Sequence, residues 1–412
     1  DGAGGDETPA ATAGATEPAG GDVETGGPLK IGLLFPFTGD LQDFGPAFRN
    51  AAMLAVEEIN AAGGVLGQPI EVAEGDDGTS PQQGVAEARR LVDIESVHAI
   101  IGAAASGVTL QVAESVTGPS GVLEISSSAT SPALTEANDN DFLFRTPISD
   151  AAQGVVLAAL AKEQGYDQIC TIYVNNAYGQ GLSEQFAKAF TAGGGTVTAQ
   201  VPHEEQAASY TSELGQCAGA TTLVAMSYPE SAGVYLREAA EQKLFTNYLF
   251  VDGTKSDALF EGLGWANFAG FWGTAPGALP PGTAAIAFNE RYEAVYGEPP
   301  TQLPFLRETY DAVYLIALAA QKAGSTDRTA IRDALRDIAN PPGTTVNPGE
   351  DGWTAALAAL EAGDDIDYDG ASSAVNFDAA GDVLVGAIEI WQIEGEAIVV
   401  KETRPIDLTE SQ

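Results

Sequence analysis

The sequence predicts an α/β fold of two lobes with parallel-core sheets, joined by several chain crossings that make a hinge. Three observations predict it. Short apolar runs of strand length alternate with segments of 3.6-residue apolar period from Leu29 onward. The alternation restarts after "FLFRTPISD". The last third then supplies helices and one hairpin that cannot build a third sheet of their own.

In chain order, residues 1–27 contain only Gly, Ala, Thr, Pro, Val, Asp and Glu. Such a segment has nothing to bury and reads as a disordered tether. A tether of this composition ahead of a globular body suits a lipid-anchored surface protein, with the anchoring residue upstream.

"LKIGLLF" reads as a buried strand, and "AFRNAAMLAVEEINAAGG" as an amphipathic helix stopped by Gly-Gly. "QPIEVAEGDD", "VHAIIG" and "GVLEIS" are further strands, separated by the helices "PQQGVAEARRLVD" and "SGVTLQVAESVTG". The second unit alternates the helices "AAQGVVLAALAKEQG", "YGQGLSEQFAKAFTAGGG", "YTSELGQCAG" and "SAGVYLREAAEQK" with the strands "QICTIYVN", "TVTAQVP", "TTLVAMS" and "YLFVDG". Both series predict doubly wound parallel sheets.

"AAIAFNERYEAVYG", "FLRETYDAVYLIALAAQKAG" and "DRTAIRDALRDIA" are three helices that must pack back on an existing lobe. "IEIWQIEGEAIVV" is a hairpin that must find a sheet edge. The expected division is 28–148 plus 276–370 for the first lobe and 149–275 plus 371–412 for the second.

The balance of 58 acidic to 18 basic residues gives a net charge of −40. That field repels nucleic acid and anionic lipid, which drop out as partners. It suits either a protein kept soluble in high salt or an ordinary acidic secreted one. No apolar run reaches the roughly 18 residues of a membrane span.

Cys170 and Cys217 are the only cysteines and form no CxxC, so they make one disulfide in an exported protein or stay two buried thiols. No GxSxG, HExxH or P-loop is present, and no metal or cofactor is expected. His98, in an apolar strand, reads as a core or rim residue, and His203 as a solvated loop residue.

The polar residues at the carboxyl ends of strands carry the functional expectation, because open α/β sheets bind ligands in the crevice there. Ser106 follows "AIIGAAA", while Ser128 and Thr130 follow "VLEI". They are plain helix caps or, taken together, a nest of hydroxyls and amides for a carboxylate. Asp252 ends "YLFVDG", where it is either a turn acid or the receiver of an ammonium. Phe44, Tyr178 and Tyr228 stand at comparable points, as packing residues or as walls around a small ligand.

The ordered stretches "KIGLLFPFTGDLQDFG", "AAMLAVEEINAAGG", "IIGAAASGVTLQVAE", "ISSSATSPALT", "FLFRTPISDAAQG", "NNAYGQGL", "YPESAG", "FLRETYDAVYLIALA" and "IDYDGASSAVNFDAAGDV" resemble the type I periplasmic solute-binding proteins of the branched-chain amino-acid family. The resemblance spans nearly all of Leu29–Leu408. It implies two Rossmann-like lobes with parallel-core sheets joined by a three-crossing hinge, closing on a small amino acid that is handed to an ABC transporter permease, outside the cytoplasm, by a monomer that is not an enzyme. It also implies that Ser106, Ser128 and Thr130 hold the ligand carboxylate, Asp252 the ammonium, and Phe44 and Tyr178 the flanks. The family's aromatic near "YPE" is matched by Ser227, with Tyr228 one residue on. The family's disulfide in the first lobe is absent here. Relatives of this fold also take aromatic acids, amides and urea, and sensory modules share it.

Overall fold

The computed structural model describes residues 26–277 and 282–409. The expected tether, residues 1–27, lies almost entirely outside the described residues.

The first sheet has the order β2-β1-β3-β4-β5. It is built from β1 (Lys30–Phe35), β2 (Glu71–Asp76), β3 (Ala99–Gly102), β4 (Leu123–Ser126) and β5 (Leu143–Arg145), all parallel. Between them run α1 (Phe44–Ala61), α2 (Pro81–Arg89), α3 (Ser106–Val112) and, after a wider turn, α4 (Gly118–Ser120). The Ser80 side chain caps α2 with Pro81 at its first position, where a missing N–H is harmless.

Gly102 ends β3 at φ +127°, and a Cβ there would lie 2.0 Å from the Leu34 carbonyl oxygen. Only glycine lets β3 turn so close beside β1. Residues 103–106 thereby reach the carboxyl edge of the sheet.

The second unit contains α5 (Asp150–Glu163), β6 (Gln168–Val174), α6 (Ala177–Ala192), β7 (Thr196–His203), α7 (Thr211–Gln216), β8 (Thr222–Met226), α8 (Pro229–Gln242), β9 (Asn247–Phe250), α9 (Asp257–Leu263) and β10 (Trp272–Gly277). After α10 (Thr283–Tyr296), α11 (Leu306–Ala323) and α12 (Arg328–Ala339), a small parallel pair forms from β11 (Thr344–Val346) and β12 (Ile366–Tyr368). The pair is bridged by α13 (Glu350–Ala362).

The closing hairpin, β13 (Val385–Glu394) and β14 (Ala397–Asp407), pairs antiparallel with β10. That gives a seven-stranded sheet of order β14-β13-β10-β9-β8-β6-β7. The hairpin has therefore found its sheet edge. Helices α10–α12 lie on the first sheet's unit, with α11 against α1 and α12 against β4.

The sequence reading missed β5, β10, α9 and the β11–α13–β12 excursion. The short strands β5, β11 and β12 span three residues each, too few to show a period. Cys170, on β6, is bonded to Cys217 at the end of α7, so of the two alternatives the bridge holds. His203 corrects the expectation of a solvated loop: it is the last residue of β7 and only 2 % exposed. Its Nε2 lies 2.7 Å from Ser227 Oγ, and burial lowers its pKa. His98 is a rim residue as expected, with Nδ1 accepting from the Lys30 amide.

Where the chain leaves β5, the buried Arg145 meets Asp382 through two hydrogen bonds, Nε–Oδ1 at 2.6 Å and Nη2–Oδ2 at 2.8 Å. Its Nη1 donates to the Ser131 carbonyl at 2.8 Å. Thr135 donates to Asp382 Oδ2, closing the ring of bonds. Three distant segments are so fixed at one charge pair.

Truncation of one partner strands the other charge in a dry site, so Arg145→Met is expected to destabilise by about 3–5 kcal/mol. Arg145→Met/Asp382→Leu should recover much of that loss, and chemical denaturation of both variants checks it. The Cys170–Cys217 bridge spans 47 residues. Its removal as Cys170→Ala/Cys217→Ala should lower unfolding free energy by about 2–4 kcal/mol; an unchanged urea midpoint would refute a constraining role.

Candidate functional site

The carboxyl ends of the two sheets face one another across a narrow gap of about 20 Å³, lined by Leu41, Phe44, Phe48, Ala104, Ser106, Ser128, Tyr178, Tyr228, Asp252, Gly253 and Phe305. Six of the eight residues expected from sequence therefore meet: Ser106, Ser128, Phe44, Tyr178, Tyr228 and Asp252. Each is at most 9 % exposed, so the lobes stand closed over the gap. They also touch beside it, where Ser131 Oγ donates to the Ala177 carbonyl at 2.7 Å.

Lobe two contributes the charge. Asp252 follows β9 and is 3 % exposed. Its Oδ1 accepts from Gln153 Nε2 at 2.7 Å and Tyr178 Oη at 2.9 Å, which leaves Oδ2 clear of side-chain donors. Burial pushes its pKa up to about 6, and the bonds from Gln153 and Tyr178 offset only part of that. No Lys, Arg or His lines the gap. A buried acid without a cation is the partner an ammonium group requires.

Tyr178 is set by its place in the first turn of α6, which Asn176 caps by accepting from the Tyr178 and Gly179 amides. Tyr228 stacks on it, with ring centroids 5.5 Å apart and planes 10° off parallel. The Gly253 amide donates to Tyr178 Oη, and a Cβ at Gly253 would come within 2.5 Å of the Ser227 carbonyl oxygen. Small size at position 253 therefore keeps phenol and carboxylate in contact.

Lobe one contributes hydroxyls and apolar walls. Ser106 opens α3 and its Oγ accepts from the Ser131 amide at 3.2 Å, so its own proton is available to an oxygen in the gap. Ser128 differs: its Oγ donates to the Ala104 carbonyl at 3.2 Å, so it offers the gap lone pairs.

Thr130 and Ser227 are corrections. Thr130 Oγ1 donates to Asp150 Oδ2 at 2.8 Å, and Ser227 Oγ faces His203. Both hydroxyls are fully buried away from the gap. The other hydroxyls of "SSSATS" are also scaffold. Ser126 donates to the Ala103 carbonyl, Ser127 bonds Thr309, and Ser131 bonds across the cleft.

Sequence reasoning missed Leu41, Phe48 and Phe305 as walls. Phe305 is the N-cap of α11 in the left-handed region, at φ +73°. A bulky residue rarely sits there, and the strain is retained where its ring meets the gap. The preceding "LPF" carries no periodic signal. A wider recess of about 570 Å³ beside Lys255, Glu308 and Glu389 is open to solvent and gathers no strand-end residues of the first sheet.

Among the described residues no cluster of His, Cys, Asp or Glu is arranged for a metal ion. Nor is any helix among them long and apolar enough to cross a membrane.

The profile of the family described as "Periplasmic binding protein" matches residues 28–380. The Leu/Ile/Val-binding protein homolog 3 of Brucella melitensis is 29 % identical over 314 residues, 75 % of this chain and 83 % of that protein. The chemotactic signal transduction system substrate-binding protein BasB of Halobacterium salinarum is 26 % identical over 385 residues, 92 % of this chain and 90 % of its own length. The LivJ branched-chain amino acid transporter substrate-binding protein of Streptococcus pneumoniae, solved with isoleucine, superposes with a TM-score of 0.76 at 23 % identity, covering 92 % of this chain and all of that one. Two lobes of parallel-core sheets, a gap between their strand ends and a family profile over most of the length agree: the chain belongs to the type I periplasmic binding proteins, in their branched-chain amino-acid family.

Proposed function

We infer that this chain is the extracytoplasmic solute-binding component of an ABC transporter and captures a small amino acid, branched-chain-like, by hinge closure. The observation that carries the reading is Asp252, a buried acid held by Tyr178 and Gln153 in a gap without a cation. An α-ammonium pairs with its carboxylate and also meets the lone pairs of Ser128. The carboxylate of the ligand takes the free proton of Ser106. Leu41, Phe44, Phe48 and Phe305 suit an aliphatic side chain. Ligand contacts to both lobes stabilise the closed form.

The lobe bounds of this mechanism shift from those expected to 28–148 with 282–384 and 149–277 with 385–409, since β10 pairs with β13 while the 371–382 segment bonds Asp311 and Arg145, the chain crossing three times between them. Transfer of the solute to a membrane permease, without catalysis, completes the role. A monomer suffices for it, since each chain supplies both halves of its gap. The net charge of −40 supports a medium of high salt and speaks against nucleic acid as a partner. The tether-like composition of residues 1–27 supports attachment at the cell surface.

A second reading is favoured by the long match to BasB. The same capture would then feed a chemotactic receptor. Loss of uptake against loss of attraction in a deletion strain separates the two.

Asp252→Asn keeps the shape and removes the charge. Its affinity for L-leucine should fall by at least about 30-fold, roughly 2 kcal/mol, as expected for a buried charged bond. Calorimetry with unchanged affinity would remove the amino-acid reading. Leucinamide, which keeps the ammonium but loses the carboxylate, should retain its dependence on Asp252 while losing its dependence on Ser106.

A further inference from the structure

The mouth of the cleft carries a second contact between the lobes. Asp40, in the loop between β1 and α1, is 1 % exposed. Its Oδ2 accepts from Ser231 Oγ in the first turn of α8, a contact across the two lobes. Ser231 is itself aimed: its Oγ accepts from the Gln206 amide at 3.1 Å and lies 3.0 Å from Tyr210 Oη. Its hydroxyl proton is thus left for Asp40. Beside this clasp Gln42 Nε2 donates to Glu230 Oε1 at 2.7 Å. The other oxygen of Asp40, Oδ1, is buried without a hydrogen-bond partner.

The charged groups that face Asp40 make its burial unfavourable. From lobe two come Glu230 on α8 and Glu205 in the turn after β7, next to Gln206. On its own lobe Asp43 opposes the same Glu230, and Asp77 after β2 adds to the field at Glu205. Tyr210, Ser231 and Asn176 are neutral, and burial lowers the pKa of His203 behind them. Closure therefore presses carboxyls from both lobes together and shields one carboxylate oxygen completely. Such a site closes most readily with a proton in it.

We propose that closure of this cleft is coupled to uptake of a proton at the Asp40–Glu205 mouth, with Ser231 as the clasp, so that capture is stronger in mildly acid than in alkaline medium. The proposal rests on the reading of the cleft as one that opens and closes on a solute. Burial, followed by the charge of Asp40, raises Glu205 to about 7, and burial raises Asp40 as well. Parted lobes return both to water and to the ordinary carboxylate range. Closed-state values above open-state values mean that protonation favours closure. The advantage is complete below the ordinary carboxylate range, declines as pH rises, and is gone above about 7.

The test places spin labels on the exposed Gln82 and Ala208, on opposite lips of the cleft, in the ligand-free full chain. The ratio of closed to open form should fall about tenfold between pH about 6 and about 8, the factor expected for one carboxyl of pKa about 7 in the closed form and ordinary pKa in the open form. Asp40→Asn, a neutral isostere, should flatten this profile to under about threefold and make the closed form more abundant at alkaline pH. Ser231→Ala should open the cleft at both pH values. A flat profile in the unmodified chain, or an unchanged one in Asp40→Asn, overturns the coupling; an unchanged closed fraction in Ser231→Ala overturns the clasp. Calorimetry with L-leucine in buffers of different ionisation enthalpy should report proton uptake on binding. Failure of L-leucine to bind would count against the amino-acid reading, while the label distances still decide the proton coupling.

Discussion

The buried ion pair of Arg145 and Asp382 is the constraint on which the rest depends. It joins the end of β5 to the segment that returns toward β13, residues 237 positions apart in sequence. The guanidinium also holds the Ser131 carbonyl, and through it the whole turn from Ser126 to Pro132. Neither ion could be buried alone, since the desolvation of each is met only by the other and by the hydroxyl and carbonyl around them. Closing this ring ties the end of the first sheet, the turn at 131–135 and the returning segment together at one point.

The cleft shows what the fold does with its many acids. Among the described residues most acids face water, where charge repels charge but hydration absorbs the cost. A few are drawn inward, and two contrasting cases stand out among them. Asp311 accepts bonds from Tyr368, Ser372 and the amides of Ala371 and Ser372, so its charge is fully met by donors and it pins a turn. Asp252 and Asp40 instead keep an oxygen short of side-chain donors and lie where the lobes meet. The first kind holds architecture, while the second leaves electrostatic demand at the place where the molecule changes shape.

The periodic part of the fold was legible in sequence. Long helices such as α1, α6 and α11 have wide apolar faces, and the strands of both parallel cores are nearly continuous apolar runs. Six site residues were legible for the same reason, since they follow those runs directly. Thr130 and Ser227 were not, because a hydroxyl's direction depends on partners remote in sequence. Thr130 turns to Asp150, twenty residues on, and Ser227 to His203, on a neighbouring strand. The hydroxyl-rich turn looked like a ligand nest for want of this knowledge, yet it is chiefly internal bonding. Phe305 and Asp40 left no signal, as each depends on a loop whose path is set by tertiary packing.

The stacked Tyr178 and Tyr228 have an optical consequence. Two nearly parallel phenols 5.5 Å apart share their ultraviolet transitions, and both border the gap. The chain's four tryptophans, Trp265, Trp272, Trp353 and Trp391, are all absent from its lining. Near-ultraviolet circular dichroism in the tyrosine band, rather than indole emission, is thus the light by which this cleft can be watched.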